Sequence, residues 1–223
     1  MKHLFLLITL VLSLAACAQL PEIYPDTASL LSETASECGQ VFPQGRWQLY
    51  HIIQATVPGG QKSALTGVSV ISSQDRSIQW ALMTVEGFVL FSGRYDGTLS
   101  IDRAISPFDR PGFAQGLMDD LMMLFFEPQG RRLMTGRLET GGHVCRFGLP
   151  ENTTDVVIKN DGTWAINRYD SSRRLTRSIA ADEITFIGSN QFAKHLILKN
   201  HSMIGYQLEL RLVEAIPAKN QRR

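Results

Sequence analysis

The chain has 223 residues, of which 44% are hydrophobic and 9% aromatic, and this is enough for one folded domain with its own core. Its 22 Lys and Arg residues nearly balance 21 Asp and Glu residues, so the chain lacks the basic charge typical of nucleic-acid-binding proteins. We therefore expect no nucleic-acid partner.

The N-terminus has the pattern of a secretory signal peptide. Lys2 precedes an apolar stretch from Leu4 to Leu12, which is shorter than the roughly 20 residues that a transmembrane helix needs. Small residues then lead directly to a cysteine in the run Leu14-Ala15-Ala16-Cys17, which resembles the bacterial lipobox. The resemblance implies that residues 1-16 are removed and that Cys17 becomes the acylated first residue of a lipoprotein. The alternative is an ordinary signal peptide cleaved close to Cys17, in which the cysteine has no role.

The residue after the cysteine bears on the destination of the protein. Position 18 is Ala, whereas an Asp at this position usually retains lipoproteins in the enterobacterial inner membrane. The resemblance therefore implies anchoring in the outer membrane, on its periplasmic face, by palmitate and related acyl chains on Cys17. More than one acyl chain is expected, because a single chain binds a membrane only marginally.

Residues 17-41 are predicted to form the lipidated N-terminus and a tether. They contain Pro21, Pro25 and many Ser, Thr and Glu residues with little periodicity, although residues 29-38 have a short helix as an alternative. Cys38 lies in this segment, and Cys145 follows 107 positions later. Because an exported protein meets an oxidising compartment, we expect a disulfide between them, with two buried free thiols as the alternative.

Residues 42-216 are predicted to form a single β domain, followed by a polar tail over residues 217-223. Short segments rich in β-branched and aromatic residues alternate with turn signals such as Asn160-Asp161-Gly162. Consecutive strands with short connections indicate an antiparallel meander. The predicted strands cover residues 46-56, 64-71, 77-85, 88-95, 133-138, 143-147, 155-159, 163-168, 175-179, 183-187, 193-198 and 206-213.

One segment, residues 112-127, has the periodicity of a helix. Its apolar residues recur at every fourth position, and Pro111 and Pro128 suit its two ends. Because this helix interrupts a long antiparallel meander, we expect it to pack on the concave face of a curved sheet, opposite the apolar side of strand 77-85. The predicted apolar groove between them is lined by Trp80, Leu82, Phe113, Leu117, Leu121 and Phe125.

Charged residues within the predicted helix and in residues 173-177 are predicted to face solvent. Asp119 and Asp120 are adjacent, so they point about 100° apart on a helix and cannot share a proton as a catalytic dyad does. We interpret both as surface carboxylates. Arg173, Arg174 and Arg177 are interpreted as solvated charges, with a contact to anionic lipid as the alternative.

The sequence contains no recognisable catalytic or metal-binding motif. Its histidines lack paired ligand spacing, its serines lie in no GxSxG motif, and it has no glycine-rich phosphate loop. We therefore expect no enzymatic activity, no metal and no cofactor.

Several runs of residues resemble a bacterial lipoprotein family whose members are often encoded in gene clusters for aryl polyene biosynthesis. The runs, within residues 45-213, are Phe88-Val-Leu-Phe-Ser-Gly-Arg-Tyr-Asp-Gly97, Ser106-Pro107, Leu117-Met-Asp-Asp-Leu121, Gly130-Arg-Arg-Leu133 and Gly205-Tyr-Gln-Leu-Glu-Leu210. The fold of this family is similar to that of LolA and LolB, lipoprotein carriers built as a half-open antiparallel barrel closed by helices.

The resemblance implies a mainly β, α+β fold: a curved antiparallel half-barrel with one apolar helix on its concave face. It also implies a protein that binds or helps to localise lipid, lipoprotein or polyene-lipid through the apolar groove. The alternative function is that of a non-catalytic structural accessory of an envelope biosynthesis or secretion complex, which would bind an envelope protein as its partner.

Overall fold

The computed structural model describes residues 20-26, 31-57, 59-202 and 205-218. The predicted signal peptide, Cys17 and the end of the predicted polar tail lie outside the described residues. Within them the chain forms thirteen β-strands and two α-helices. No helix among the described residues is long and apolar enough to cross a bilayer.

The helices are α1 (Leu31–Gln40) and α2 (Pro111–Phe125). The strands are β1 (Tyr24–Pro25), β2 (Arg46–Thr56), β3 (Lys62–Ser72), β4 (Ser77–Thr84), β5 (Val89–Tyr95), β6 (Leu99–Ala104), β7 (Arg131–Arg137), β8 (His143–Gly148), β9 (Asn152–Ile158), β10 (Trp164–Asp170), β11 (Leu175–Ile187), β12 (Asn190–Asn200) and β13 (Gln207–Pro217).

All described strands belong to one antiparallel sheet with the order β1-β7-β8-β9-β10-β11-β12-β13-β2-β3-β4-β5-β6. It consists of two meanders, β2 to β6 and β7 to β13, joined where β13 pairs with β2. Among the described strands, β1 and β6 are the edges, and the sheet does not close on itself. An open antiparallel sheet of this kind agrees with the predicted half-barrel.

The strand pattern differs from the prediction at the short β1, which lies in the predicted tether, at β6 and at β11. Strand β6 was not predicted, because as an edge strand it is largely exposed and lacks a regular apolar alternation. The predicted strands 175-179 and 183-187 are one continuous strand, β11. Glu183 adopts a left-handed φ of 51°, yet the register continues from the pair Asp182–His195 to the pair Ile184–Ala193.

The main hydrophobic core lies on one face of the sheet, which we call the inner face. It carries the buried residues Ile53, Leu210, Leu196 and Ala181, which are cross-strand partners in that order. Both helices pack on this face. Phe125 of α2 lies next to the ring of His51, two residues before Ile53, and α1 is bonded through Cys38 to β8.

Residues 20-26 run over the opposite face of the sheet. There Ile23 is buried in a small hydrophobic cluster with Val144 and Val157, which are cross-strand partners on β8 and β9. Strand β1 then pairs with β7 at the edge of the sheet. The described residues of the predicted tether are thus in contact with the domain from residue 20 onward.

A buried ion pair holds this N-terminal segment in place. The Arg146 guanidinium donates two 2.7 Å hydrogen bonds to the Asp155 carboxylate and one of 2.7 Å to the Pro21 carbonyl oxygen. Burial raises the pKa of Asp155, and the bonds from Arg146 oppose that shift. A buried carboxylate of this kind needs a paired cation, which Arg146 supplies.

The structure contains the disulfide expected between Cys38 and Cys145, with a Cα–Cα distance of 6.3 Å. Both residues are fully buried. The bond joins α1 to β8, so the second half of the predicted tether is covalently fixed to the sheet.

Candidate functional site

Helix α2 forms where the sequence predicts a helix, and it presents an apolar face to the sheet. Pro111 occupies its first turn, where no intrahelical N–H donor is needed. The helix ends at Phe125, and the backbone becomes extended at Phe126. The Phe126 N–H donates to the Met122 carbonyl oxygen at 3.1 Å. The buried side of the helix includes Ala114 and Met118 in addition to the predicted groove residues.

Five of the six predicted groove residues lie in one hydrophobic cluster. Each is between 3% and 6% exposed, and the five are Trp80, Leu82, Leu117, Leu121 and Phe125. The helix and the sheet are therefore packed against each other in this structure, and these side chains form a closed apolar interior.

Phe113, the sixth predicted groove residue, lies at the margin of that interior. It is 37% exposed, and its ring stands 5.2 Å from that of Phe108 and 6.5 Å from that of Tyr206, measured between centroids. Phe113 is thus the most exposed of the six predicted groove residues.

The prediction that Asp119 and Asp120 are both surface carboxylates is wrong for Asp120. Asp119 is exposed, but Asp120 is only 1% exposed and faces the sheet. The periodicity contained the signal for this, because Asp120 follows Phe113 by seven residues and Leu117 by three, which places all three on one helical face.

Asp120 lies at the centre of a polar cluster inside the apolar interior. The Arg177 Nε donates to Asp120 Oδ1 at 3.0 Å, and the Tyr206 hydroxyl donates to Oδ2. Arg177 Nη1 also donates to Asn200 Oδ1 at 2.8 Å. These contacts link α2 to β11, to β12 and to the chain just before β13.

The pKa shifts in this cluster follow from its burial. Burial raises the pKa of Asp120, while the bonds from Tyr206 and the charge of Arg177 oppose that shift. Burial also raises the pKa of Tyr206, and the neighbouring Asp120 carboxylate raises it further. Tyr206 therefore remains a neutral hydrogen-bond donor to Asp120 at neutral pH.

The three arginines interpreted as solvated charges have different environments. Arg173 and Arg174 are exposed, and Arg174 pairs at the surface with Asp170 at 3.0 Å. The interpretation is wrong for Arg177, whose side chain is 22% exposed and pairs with the buried Asp120. A sequence reading could not find this pair, because its members are 57 residues apart.

One group of side chains has a donor set that suits a metal ion, although no motif predicts it. Ligand atoms of Asp182, Glu183 and His195 lie within 4.8 Å of one another on β11 and β12. His195 Nδ1 contacts Asp182 at 2.8 Å and Nε2 contacts Glu209 at 3.0 Å, and Arg211 pairs with both glutamates at 3.2 to 3.6 Å. These residues already satisfy one another as an exposed charge network.

No protein-family profile matches the chain, and no curated protein matches it.

Two solved structures share the fold. A LolA superfamily protein from Nitrosomonas europaea matches with a TM-score of 0.59 at 9% sequence identity, over 85% of this chain and 94% of that one. A protein domain from Vibrio parahaemolyticus, named for outer membrane lipoprotein sorting, matches with a TM-score of 0.54 at 9% identity, over 88% of this chain and 95% of that one. The predicted LolA-like fold is thereby confirmed: the chain is a mainly β protein built on an open antiparallel sheet, and it shares its fold with those two proteins.

Proposed function

We propose that this protein is a non-enzymatic lipoprotein of the outer membrane, anchored on the periplasmic face through acylated Cys17. In this proposal it binds the apolar chains of a lipid, a lipoprotein or a polyene-lipid. The observation that carries the proposal is the position of α2. This apolar helix connects β6, at one edge of the sheet, with β7, the second strand from the other edge, and its buried side chains belong to the core of the inner face.

The packing of α2 suits exchange with a hydrocarbon chain. Its contacts with the inner face are mainly apolar, and apolar burial is non-directional, so a lipid chain can make contacts of the same kind in place of the helix side chains. The described polar contacts from α2 to the sheet converge on Asp120. On the proposed function, α2 moves away from the concave inner face and the closed interior opens into the predicted groove.

The likeness in fold and the sequence resemblance support the same class of ligand. One of the two similar structures is named for lipoprotein sorting. The runs quoted above resemble a lipoprotein family associated with aryl polyene biosynthesis, whose products carry long apolar chains. Acyl or polyenyl chains are therefore the ligands that we expect.

A second candidate is a structural accessory that binds an envelope protein partner. The observation that favours it is the closed interior, since five predicted groove residues are buried as they would be in a dry core. On this alternative α2 never leaves the sheet, and the protein takes up no apolar molecule.

Ligand extraction tests the proposed function directly. The protein is exported behind a conventional signal peptide as residues 18-223, which we call the anchor-free chain, so that lipid attached to Cys17 does not interfere. Mass spectrometry of the solvent extract should then identify a bound apolar molecule. Titration with the fluorescent ester methyl parinarate should show saturable binding, and the absence of both would reject the carrier function.

Leu121→Ala separates an exchangeable interior from a dry core. In a dry core this change costs about 2-5 kcal/mol of unfolding free energy, because it leaves a cavity. In an interior that opens, the same change should also weaken binding of methyl parinarate. Val144→Ala, in the hydrophobic cluster on the opposite face, is the matched control: it should lower stability and leave probe binding unchanged.

A further inference from the structure

Two rows of cross-strand partners lie side by side on the inner face of β9 to β12. The apolar row is fully buried and consists of Val156, Ile166, Ile179 and Leu198. The polar row is two positions along each strand and consists of Thr154, Arg168, Arg177 and Asn200. An apolar surface thus ends at a row of hydrogen-bonding and cationic groups, which is the polarity profile of an amphiphilic molecule.

The polar row contains an arrangement that is unfavourable for stability alone. Arg168 and Arg177 are direct cross-strand partners, and like charges in that position repel each other. Asp120 neutralises Arg177 at 3.0 Å. Among the described residues no carboxylate pairs with Arg168, and the carboxylate of Asp119, which acts on it at longer range, is exposed and accepts a hydrogen bond from Gln115. Asp120 also acts on Arg168 at longer range, so carboxylates lie near Arg168 but none is bonded to it among the described residues.

Two buried polar atoms in the same row have no hydrogen-bond partner among the described residues. They are Arg168 Nε and the hydroxyl oxygen of Thr154. The two residues are direct cross-strand partners. Thr154 is fully buried, whereas Arg168 is half-buried. Because buried polar groups are nearly always hydrogen-bonded, two adjacent exceptions, one of them on a guanidinium without a bonded carboxylate, suit an anionic partner.

We propose that Arg168 and Thr154 bind the anionic group, a carboxylate or a phosphate, of an amphiphile whose hydrocarbon chain lies along the apolar row. This inference rests on the proposed function and adds the charge of the ligand to it. The guanidinium of Arg168 donates from Nε and a terminal nitrogen to two oxygens of the anion, and the Thr154 hydroxyl donates to the same group. The partial exposure of Arg168 lets the anion reach it from solvent.

Parinaric acid and its methyl ester test the proposal, because they share one fluorescent chain and differ only in charge. The anchor-free chain should bind the acid at least about tenfold more tightly than the ester, as expected for charge-assisted hydrogen bonds. Arg168→Met should abolish this difference and leave the affinity for the ester unchanged. Arg174→Met, which removes an exposed arginine paired with Asp170, is the matched control and should keep the difference.

A stability measurement tests whether Arg168 has a purely structural role. Since Arg168→Met removes the repulsion with Arg177 and keeps the aliphatic bulk, its melting temperature should equal or exceed that of the unsubstituted chain. A clear loss of stability would assign Arg168 to the fold and overturn the proposal.

The remaining outcomes separate this inference from the proposed function. Equal affinity for acid and ester in the unsubstituted chain would overturn the anionic site while the carrier function stands. Binding of neither probe would reject both. If excess inorganic phosphate removed the advantage of the acid and raised the melting temperature without any lipid, the site would belong to a free anion, and the assignment to an amphiphile would be overturned.

Discussion

The disulfide between α1 and β8 gives a quantitative prediction about stability. Cys38 and Cys145 are 107 residues apart, and closing a loop of this size stabilises the folded state by about 4.7 kcal/mol when only the entropy of the unfolded chain is counted. Removing a native disulfide from a small exported domain lowers the free energy of unfolding by roughly 2-5 kcal/mol. We therefore expect the double variant Cys38→Ala, Cys145→Ala to lose an amount in that range.

The assay is equilibrium unfolding of the anchor-free chain in urea, with and without reductant. For a slope of about 2 kcal/mol per molar urea, the double variant should unfold at a midpoint lower by roughly 1-2.5 M. Reductant reaches the buried bond once the chain unfolds, and it should therefore lower the unfolding midpoint of the unsubstituted chain. The midpoint of the double variant should not change with reductant. Two free thiols titrated in denatured, unreduced protein, or equal midpoints for the two proteins, would refute the reasoning.

Two further predictions concern the anchor and the response to acid. Cys17→Ser should abolish incorporation of a clickable fatty acid in growing cells, because the thiol is the acylation nucleophile, and persistent labelling of the variant would contradict the lipobox assignment. Burial lowers the pKa of His51 from 6.5 to about 4, so the unfolded chain binds a proton that the folded chain excludes as the pH falls through that window. The protein should thereby lose about 3 kcal/mol of unfolding free energy between pH 6.5 and pH 4. Denaturation of His51→Gln across the same pH range should lack this part of the loss, and an unchanged pH dependence would show that His51 does not cause it.

Local patterns in the sequence were sufficient to predict most of the secondary structure. Strand β2 begins and ends as predicted, at residues 46 and 56, because its apolar residues alternate and a glycine turn follows. Helix α2 covers nearly the predicted range, because its apolar residues recur at both three- and four-residue spacings, whereas a strand alternates with a period of two. Strand β6 escaped prediction because an edge strand is paired on one side only and is mostly exposed, so burial leaves little trace in its sequence.

The candidate site was predicted in part. Two periodicities each required a buried face on strand β4 and on α2, and the hydrophobic cluster contains residues of both elements. The polar cluster of Asp120, Arg177 and Tyr206 was not expected. A sequence-based prediction places a charged residue in solvent. The prediction is wrong where a partner distant in the sequence offsets the cost of burying the charge.

The sequence by itself determined the features that depend on neighbours along the chain: the strand segments, their turns and the apolar helix. Only the tertiary structure decided which segments meet. The pairing of β13 with β2 joins residues more than 150 positions apart, and the facing of Arg168 and Arg177 depends on the register of one hairpin. A shift of that register by one residue would turn every side chain of a strand to the other face of the sheet, so the polar row exists only in the folded protein.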